Sequence, residues 1–426
     1  MVGFLKRRRW LATLALLSLV VAGLYVIPEG MLLGIALVLA VPCTTIAVEC
    51  SAALAASRSG HPREENAPDE DEDKSDLRYT VIVPAHNEAT IIERTLAELP
   101  VGATLVIADN CTDSTAEIAR NAGFQVLERH STDTRGKGFA IEYGLRYLES
   151  DPPEAIVIID ADCRVAPGAI AQIARRALAT KRPVQSLYLL DSPASPSPTA
   201  AVSAFAFLVK NRIRPMGLAF LGLPCLLQGS GMAFPWESFA KARLVGNCIV
   251  EDIQFGIDLA IAGTSPLFCS QARVTGLLPS TGAAAQSQRT RWEHGHMQTI
   301  LTQSPRLLRA AITQRRLDLL ALALEVSVPP LSLLGLLWAA GLGLAIAGGF
   351  WLKFWLPAVL LGAQGVLMGV AVLSTWAQFG RDRLPLRTLL SLPLYLFWKV
   401  PLYLSFVFTP QQQWIRTPRD REVENR

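Results

Sequence analysis

Charged residues are scarce in this chain of 426 residues: Asp, Glu, Lys and Arg together make up 18% of it, against about 25% in ordinary soluble proteins. Hydrophobic residues make up 51%. A composition this apolar excludes an ordinary soluble enzyme, and the remaining charge excludes a bundle made only of membrane helices. The composition therefore indicates a soluble domain bracketed by membrane segments.

The chain also lacks a basic face and a cysteine framework. Its net charge is only +4, and Lys and Arg lie beside apolar runs without interleaved aromatics, so we exclude nucleic acid as a partner. The seven cysteines are an odd set without a CxxC pair. We interpret them as reduced thiols, with neither a disulfide framework nor a zinc site.

Two long apolar runs lie near the amino terminus, at residues 10–27 and 31–48. Each is long enough to cross a hydrocarbon core of about 30 Å. A secretory signal peptide is the alternative for the first run, but no small-x-small cleavage site follows it. The pair predicts a transmembrane hairpin at 1–50. Because the basic residues 6–9 precede it, both ends of the hairpin are expected in the cytoplasm.

Residues 51–77 contain the acidic run 70–73 and few large apolar side chains, which predicts a flexible linker. The pattern then changes to short β-rich runs that alternate with helical stretches. The predicted strands are 79–83, 104–108, 124–127 and 155–159, and the predicted helices are 90–99, 114–121 and 138–148. This alternation predicts an α/β domain at 78–305 with a mainly parallel sheet.

The segment 306–410 is apolar again, through residues 317–350 and 354–377. Pro329 and Pro330 make the first of these runs irregular, so we expect it to be kinked or to enter the membrane obliquely.

A third apolar run, 389–408, contains Pro393, Lys399 and Pro401. We expect it to be interfacial or re-entrant, because this keeps the basic tail 411–426 in the cytoplasm.

Polar residues follow the predicted strands at the edge where parallel α/β sheets bind ligands. They are residues 84–88 (PAHNE), 109–113 (DNCTD) and 160–162 (DAD). Each run has a structural alternative, such as a helix cap for Asp113 or a turn for Asn87.

Asp160 and Asp162 give the strongest short signal. Two carboxylates one residue apart at a strand end can hold a hard divalent cation, and such a cation stabilises a diphosphate leaving group. Their position after the apolar run 156–159 gives the motif most of its weight, since a DxD tripeptide is common by chance.

Three further runs suit nucleotide and sugar chemistry. Residues 135–138 (RGKG) offer a cation and exposed amides to a phosphate or a base, with a plain loop as the alternative. Residues 228–232 (QGSGM) offer a backbone that a ligand can approach closely. Glu251 and Asp252 supply a carboxylate that can take the proton of an acceptor hydroxyl, with a helix-dipole partner as the alternative.

Gln288, Arg291 and Trp292 lie within five residues of one another. Arg suits a pyrophosphate, and a Trp face suits the apolar face of a sugar ring. The structural alternative is an amphipathic interfacial helix with an anchoring Trp, and both interpretations can hold together.

Together these motifs resemble the family 2 glycosyltransferases, specifically the membrane branch with cellulose, chitin, hyaluronan and poly-N-acetylglucosamine synthases. That branch is marked by D, DxD, D and QxxRW. The matching residues, in order, are Asp109, Asp160, Asp162, Asp252, Gln288, Arg291 and Trp292. The resemblance covers residues 79–298. It implies an α/β GT-A catalytic domain, Rossmann-like and nucleotide-sugar-binding, flanked by transmembrane helices.

The resemblance also implies a role for each matched residue. Pro84, Glu88 and Asp109 would line the nucleotide pocket, and Lys137 would lie near the uracil or the diphosphate. Asp162 would be the main metal ligand, with Asp160 supporting the donor, and Mg²⁺ or Mn²⁺ is the expected cofactor. Asp252 would be the general base. Gln288 and Arg291 would face the diphosphate and the acceptor, and Trp292 would stack on the acceptor sugar.

The implied activity is inverting, metal-dependent and processive transfer of a sugar, expected from a UDP-sugar, to a growing polysaccharide. Single-sugar transfer to a lipid acceptor is the alternative, and a non-catalytic membrane subunit of a polysaccharide assembly complex is a third hypothesis. The expected partners are a nucleotide-sugar donor, a glycan or lipid acceptor, the lipid bilayer and polysaccharide export subunits. The expected location is the inner (plasma) membrane, multi-pass, with the catalytic domain in the cytoplasm.

Overall fold

The computed structural model describes residues 29–59, 77–191, 198–242, 250–277, 282–389 and 392–408. The predicted first span at 10–27, most of the acidic linker and the basic tail lie outside these ranges.

One mixed sheet forms the centre of the described catalytic domain. Its strands are β1 (Tyr79–Ala85), β2 (Thr104–Asp109), β3 (Gln125–Arg129), β4 (Ala155–Ile158), β5 (Cys163–Val165), β6 (Val184–Asp191), β7 (Met232–Pro235) and β8 (Leu267–Leu277). Their order in the sheet is β3-β2-β1-β4-β7-β6-β8-β5. Strands β1 to β4 are mutually parallel, as predicted. Strand β7 is antiparallel to both β4 and β6, so the second half of the sheet is mixed.

The helices cover both faces of this sheet and continue into an apolar region. They are α1 (Glu29–Arg58), α2 (Ile92–Leu96), α3 (Thr115–Asn121), α4 (Lys137–Leu148), α5 (Ala169–Thr180), α6 (Pro198–Leu208), α7 (Arg214–Phe220), α8 (Ser238–Lys241), α9 (Glu251–Ile261), α10 (Gly282–Gln314), α11 (Leu317–Ser327), α12 (Leu331–Leu352), α13 (Leu356–Thr375), α14 (Leu386–Leu389) and α15 (Leu392–Phe408). A π-helical turn (Val209–Ile213) joins α6 to α7, and another (Trp376–Gly380) ends α13.

Side chains that alternate between the two faces of the strands form two hydrophobic cores, one on each face of the sheet. Val81 and Val83 of β1 point into the core that contains residues of α2, α3 and α5. Ile82, between them, points into the core that contains residues of α4 and α9. Because successive side chains of a strand face opposite sides of the sheet, these apolar strands need helices on both faces.

Three described helices are long and apolar enough to cross a membrane: α1, α12, and α13 with its π turn. They pack together in one apolar cluster. Gln364 of α13 donates to the Ala36 carbonyl oxygen of α1 over 2.9 Å, and Trp338 of α12 donates to the Leu361 carbonyl oxygen of α13 over 2.8 Å. The chain therefore associates with a membrane.

Several boundaries differ from the predicted ones, and the ends of α1 and α11 have a clear physical cause. Helix α1 continues to Arg58, into the predicted linker, because Ala52 and Ala53 are buried against neighbouring structure. The predicted apolar run 317–350 divides at 328–330, where the double proline ends α11. Residues of α11 then pack with α9 and α10 of the catalytic domain.

A buried ion pair joins the first described span to the catalytic domain. Arg214 of α7 donates from Nε to Glu49 Oε2 of α1 over 2.5 Å. Arg214 also donates to the carbonyl oxygen of Glu325 in α11 over 2.9 Å. Because a lost partner would leave a buried charge, this contact fixes how α1, α7 and α11 meet.

Candidate active site

The loops after β1 and β2 are tied to each other. The side-chain oxygen of Asn87, whose φ is 55°, accepts from the Thr112 amide over 2.7 Å. The Glu88 amide donates to Thr115 Oγ1 over 2.8 Å, and the Ala89 amide donates to Asp113 Oδ2 over 3.2 Å. Asn87 and Asp113 thus connect the two loops, and they hold the strand-end loop that contains Pro84 and Glu88, both half-buried.

Asp109 lies at the end of β2 and is buried in an ion pair. Arg129 of β3 donates to its Oδ1 over 2.5 Å, and the two side chains are 10% and 8% exposed for Arg129 and Asp109. The same guanidinium donates to the Thr134 carbonyl oxygen over 2.9 Å. Asp109 therefore holds Arg129 and, through it, the loop that leads to Lys137.

Lys137 and Asp160 form an ion pair at the centre of the site. Lys137 also donates to the Gly229 carbonyl oxygen over 2.5 Å. Burial alone would favour loss of the proton, but the carboxylates of Asp160, Glu251 and Asp252 raise the pKa of Lys137 to about 12. A permanently positive ammonium thus lies beside the strand-end carboxylates, where a diphosphate is expected.

The loop 228–231 is shaped to bring its backbone against these side chains. Gly229 has a φ of +93°, and a Cβ there would lie 3.4 Å from Asp252 Oδ2 and 4.0 Å from the Lys137 ammonium. Gly231 has a φ of +68°, and a Cβ there would overlap Ser186 Oγ and lie 2.9 Å from Val274. Both positions require glycine, because L side chains rarely adopt this backbone region.

Asp160, Asp162 and Cys163 form the group with metal-ligand chemistry. One ligand atom of each lies within 4.8 Å of the others. The Asp160 amide donates to Ser230 Oγ over 3.0 Å, which fixes the backbone of the motif. Two carboxylates so placed fit a hard cation such as Mg²⁺ or Mn²⁺. Burial raises the pKa of the Cys163 thiol, which donates to Asp162 Oδ1 over 3.8 Å.

Glu251 and Asp252 begin α9 and face the same region. Burial, together with the negative charge of Asp252, raises the pKa of Glu251 to about 7. Burial also raises the pKa of Asp252, while the positive charges of Lys137 and Lys210 act against it. A carboxylate with a raised pKa is a stronger base than an ordinary aspartate, which suits it to take a proton.

The QxxRW residues lie on the first half of α10. Gln288 is buried and Arg291 is half-buried. The Trp292 ring packs against the core of the catalytic domain, with its centroid 5.9 Å from that of Phe207. The indole of Trp292 therefore connects helix α10 to the catalytic domain.

Sequence reasoning missed three residues that shape the site: Gln185, Arg129 and Lys210. Gln185 is fully buried in β6, donates to the Ser230 carbonyl oxygen over 2.9 Å and accepts from the Gln228 amide over 2.8 Å, so it braces the glycine loop. The signal that could have found it is a polar residue within an apolar strand (VQSLYLLD). Lys210 lies in a π-helical turn, a feature that is frequent at functional sites.

Comparison with known proteins agrees with this geometry. The family description "glycosyltransferase like family 2" matches residues 77–295. No curated protein matches the chain significantly. Among solved structures, the chain is similar to a mannosyltransferase from Pyrobaculum calidifontis in complex with GDP-Man and Mn²⁺. The identity is 19%, the TM-score is 0.52, and the alignment covers 87% of this chain and 99% of that one.

A second similar structure is glucosyl-3-phosphoglycerate synthase from Mycobacterium tuberculosis in complex with Mn²⁺, UDP-glucose and phosphoglyceric acid. Its identity is 20% and its TM-score is 0.32, over 45% of this chain and 69% of that one. The fold comparison rests on the mannosyltransferase, which confirms the predicted GT-A fold. Because the family match spans just over half of the 426 residues, this chain belongs to the glycosyltransferase like family 2.

Proposed function

We propose that this glycosyltransferase transfers a sugar from a UDP-sugar to the hydroxyl of a growing polysaccharide, with inversion at the anomeric carbon. The observation that carries the proposal is the convergence of Lys137, Asp160, Gly229 and Asp252 in one site. The ammonium of Lys137 contacts both Asp160 and the Gly229 carbonyl oxygen, and Asp252 lies against Gly229. A cationic side chain and a basic carboxylate thus lie beside the same glycine.

In the proposed reaction, the Asp252 carboxylate takes the proton of the acceptor hydroxyl as its oxygen attacks the anomeric carbon. The bond between that carbon and the diphosphate oxygen breaks on the opposite face, and the nucleoside diphosphate leaves with the electron pair. Lys137 holds the diphosphate, and the half-buried Arg291 stabilises its charge from α10. Pro84, Glu88 and Asp109 form the nucleotide side, in which Asp109 acts through Arg129.

Asp160 and Asp162 would hold the metal ion, as their clustered carboxylates permit. A bound Mg²⁺ or Mn²⁺ supplies positive charge that stabilises the departing diphosphate. The mannosyltransferase named above was solved with GDP-Man and Mn²⁺, which supports the choice.

The acceptor is proposed to be a glycan, with processive addition and handover to export subunits. Trp292 is proposed to stack on the acceptor sugar with the part of its ring that Phe207 leaves open. Single-sugar transfer to a lipid is the second candidate, and the apolar cluster of α1, α12 and α13 beside the domain supports it equally. Product length separates the two.

The proposed location is the inner membrane, with the catalytic domain in the cytoplasm, where nucleotide sugars are made. A reporter fused at Ser59, at the end of α1, should then behave as cytoplasmic. A periplasmic signal there would contradict the proposal, because the donor could not reach the site.

The experiment that tests the function uses the full chain, purified in detergent. It is incubated with a panel of UDP- and GDP-sugars and Mg²⁺ or Mn²⁺, and released nucleoside diphosphate and product size are measured. Release with a UDP-sugar that stops on chelation, together with a long product, supports the proposal. A one-sugar lipid product supports the second candidate, and no release with any donor contradicts both.

A further inference from the structure

Three arginines from three separate segments meet beside the end of β6. Arg383, which follows α13, donates to the Leu190 carbonyl oxygen over 3.3 Å. Arg273 of β8 lies 3.8 Å from the carboxylate of Asp191, the next residue of β6. Arg212 of the first π-helical turn places its guanidinium 5.2 Å from the centroid of the Phe379 ring, four residues before Arg383. We call these three residues the arginine cluster.

The cluster has more positive than negative charge around it. Asp191 is the acidic residue within ion-pair distance, and in the described part of the chain Arg212 and Arg383 form no ion pair. Asp382 is exposed and also forms none there. Burial and the neighbouring guanidinium groups lower the pKa of both Arg212 and Arg383. Because like charges held together repel, an anion bound between them would stabilise the arrangement.

The position of the cluster indicates which anion. The candidate span that contains α13 ends at Gly380, so Arg383 lies directly beyond the apolar segment. Trp376 and Phe379 of the last turn are aromatic residues of the kind found at headgroup depth. At this boundary the available anions are lipid phosphates, and the planar fork of Arg matches phosphate oxygens in pairs.

We propose that Arg212, Arg273 and Arg383 form a binding site for the phosphate group of an anionic membrane lipid. This site is separate from the donor site and does not depend on the proposed function. The competing explanation is that these arginines only fix membrane orientation, for which any positive charge near the span suffices. The convergence of the three arginines from separate segments favours the binding site. Arginines that only set the membrane orientation would not need to lie at one common point.

The test uses the full chain in detergent, titrated with phosphatidylglycerol in mixed micelles, and bound lipid is counted by native mass spectrometry. Arg212→Gln, Arg273→Gln and Arg383→Gln should each weaken binding about tenfold, the usual loss of a charged hydrogen bond. Arg387→Gln is the matched control, since Arg387 is exposed, carries the same charge and lies four residues from Arg383. It should leave the affinity unchanged.

An equal loss of affinity in Arg387→Gln would overturn the proposal, because it would mean diffuse surface charge. Parent-like binding in all three cluster variants would overturn it as well. Inorganic phosphate is tested as a third ligand arm. If phosphate alone binds as tightly as the lipid, the ligand is a soluble phosphate and the proposal is wrong. Arg273→Gln keeps the test valid if the other variants unfold, because its side chain is 48% exposed and contributes little to packing.

Discussion

Glu293, the residue after Trp292 in α10, forms an ion pair with Lys399 of α15. The two side chains are 12% and 5% exposed for Glu293 and Lys399, and Lys399 is the single charged residue of α15. Beside them, His294 Nε2 lies 3.1 Å from the Leu402 carbonyl oxygen. Helix α15 is therefore attached to α10 directly next to the QxxRW residues.

We expect Lys399→Met to destabilise the protein by about 3–5 kcal/mol, because it leaves the buried Glu293 carboxylate without its partner. Transfer should fall, since α10 loses its support, while UDP still binds to the folded fraction. Thermal unfolding and nucleotide release are measured together. The exchanged pair Glu293→Lys with Lys399→Glu should recover part of the stability, and parent stability of Lys399→Met alone would show that the pair is not structural.

Lys137→Met should weaken donor binding about tenfold or more, because it removes the charged contact to the diphosphate. Binding of UDP is measured by calorimetry. The matched control is Lys241→Met, since Lys241 is an exposed lysine at the end of α8. Equal affinities in parent and Lys137→Met would remove this residue from the donor site.

Glu251 gives a prediction for pH. Its pKa rises from an ordinary 4.5 to about 7 in the folded state, so the folded protein keeps a proton that the unfolded chain releases. This contribution to stability is fully present below pH 4.5 and is lost as the pH rises through 7. Glu251→Gln keeps the shape and should flatten the decline of the unfolding midpoint between about pH 5 and pH 7.5. An unchanged profile would contradict the raised pKa.

Gly217 lies where α7 crosses α1. A Cβ there would overlap the Glu49 carbonyl oxygen and lie 2.9 Å from its carbon. Gly217→Ala should therefore destabilise the protein by about 1–3 kcal/mol, the usual cost of overpacking. Gly34→Ala is the control, because a Cβ there meets nothing within 4 Å. Equal unfolding midpoints for both variants would contradict the close approach of the two helices.

The existence of strands β1 to β4, their parallel direction and the polar residues at their ends were predictable from the sequence, because apolar runs and the polar residues after them have local signals. The site residues Lys137, Asp160 and Asp252 are brought to one place by this topology. The break before α12 was predictable too, since Pro329 and Pro330 cannot continue a helix.

The rest depends on contacts between distant segments, which leave no local pattern. The burial of Asp109 requires Arg129 from the neighbouring strand. The antiparallel insertion of β7 follows from the pairing of Met232 and Ala233 with Gln185 and Val184, far apart in the chain. The end of α1 at Arg58 follows from packing against α7, which the polarity of residues 57–76 conceals.

The central claim is that Asp252 takes the proton of the acceptor and does not hold the donor. The direct measurement compares sugar transfer and UDP binding in Asp252→Asn, with Asp258→Asn as the control on the same helix, where Asp258 pairs with Arg306 over 2.5 Å. We predict that Asp252→Asn loses transfer by about a hundredfold or more, on the usual scale of general-base catalysis, with little change in UDP affinity. An Asp252→Asn enzyme that transfers sugar at the parent rate would contradict the account.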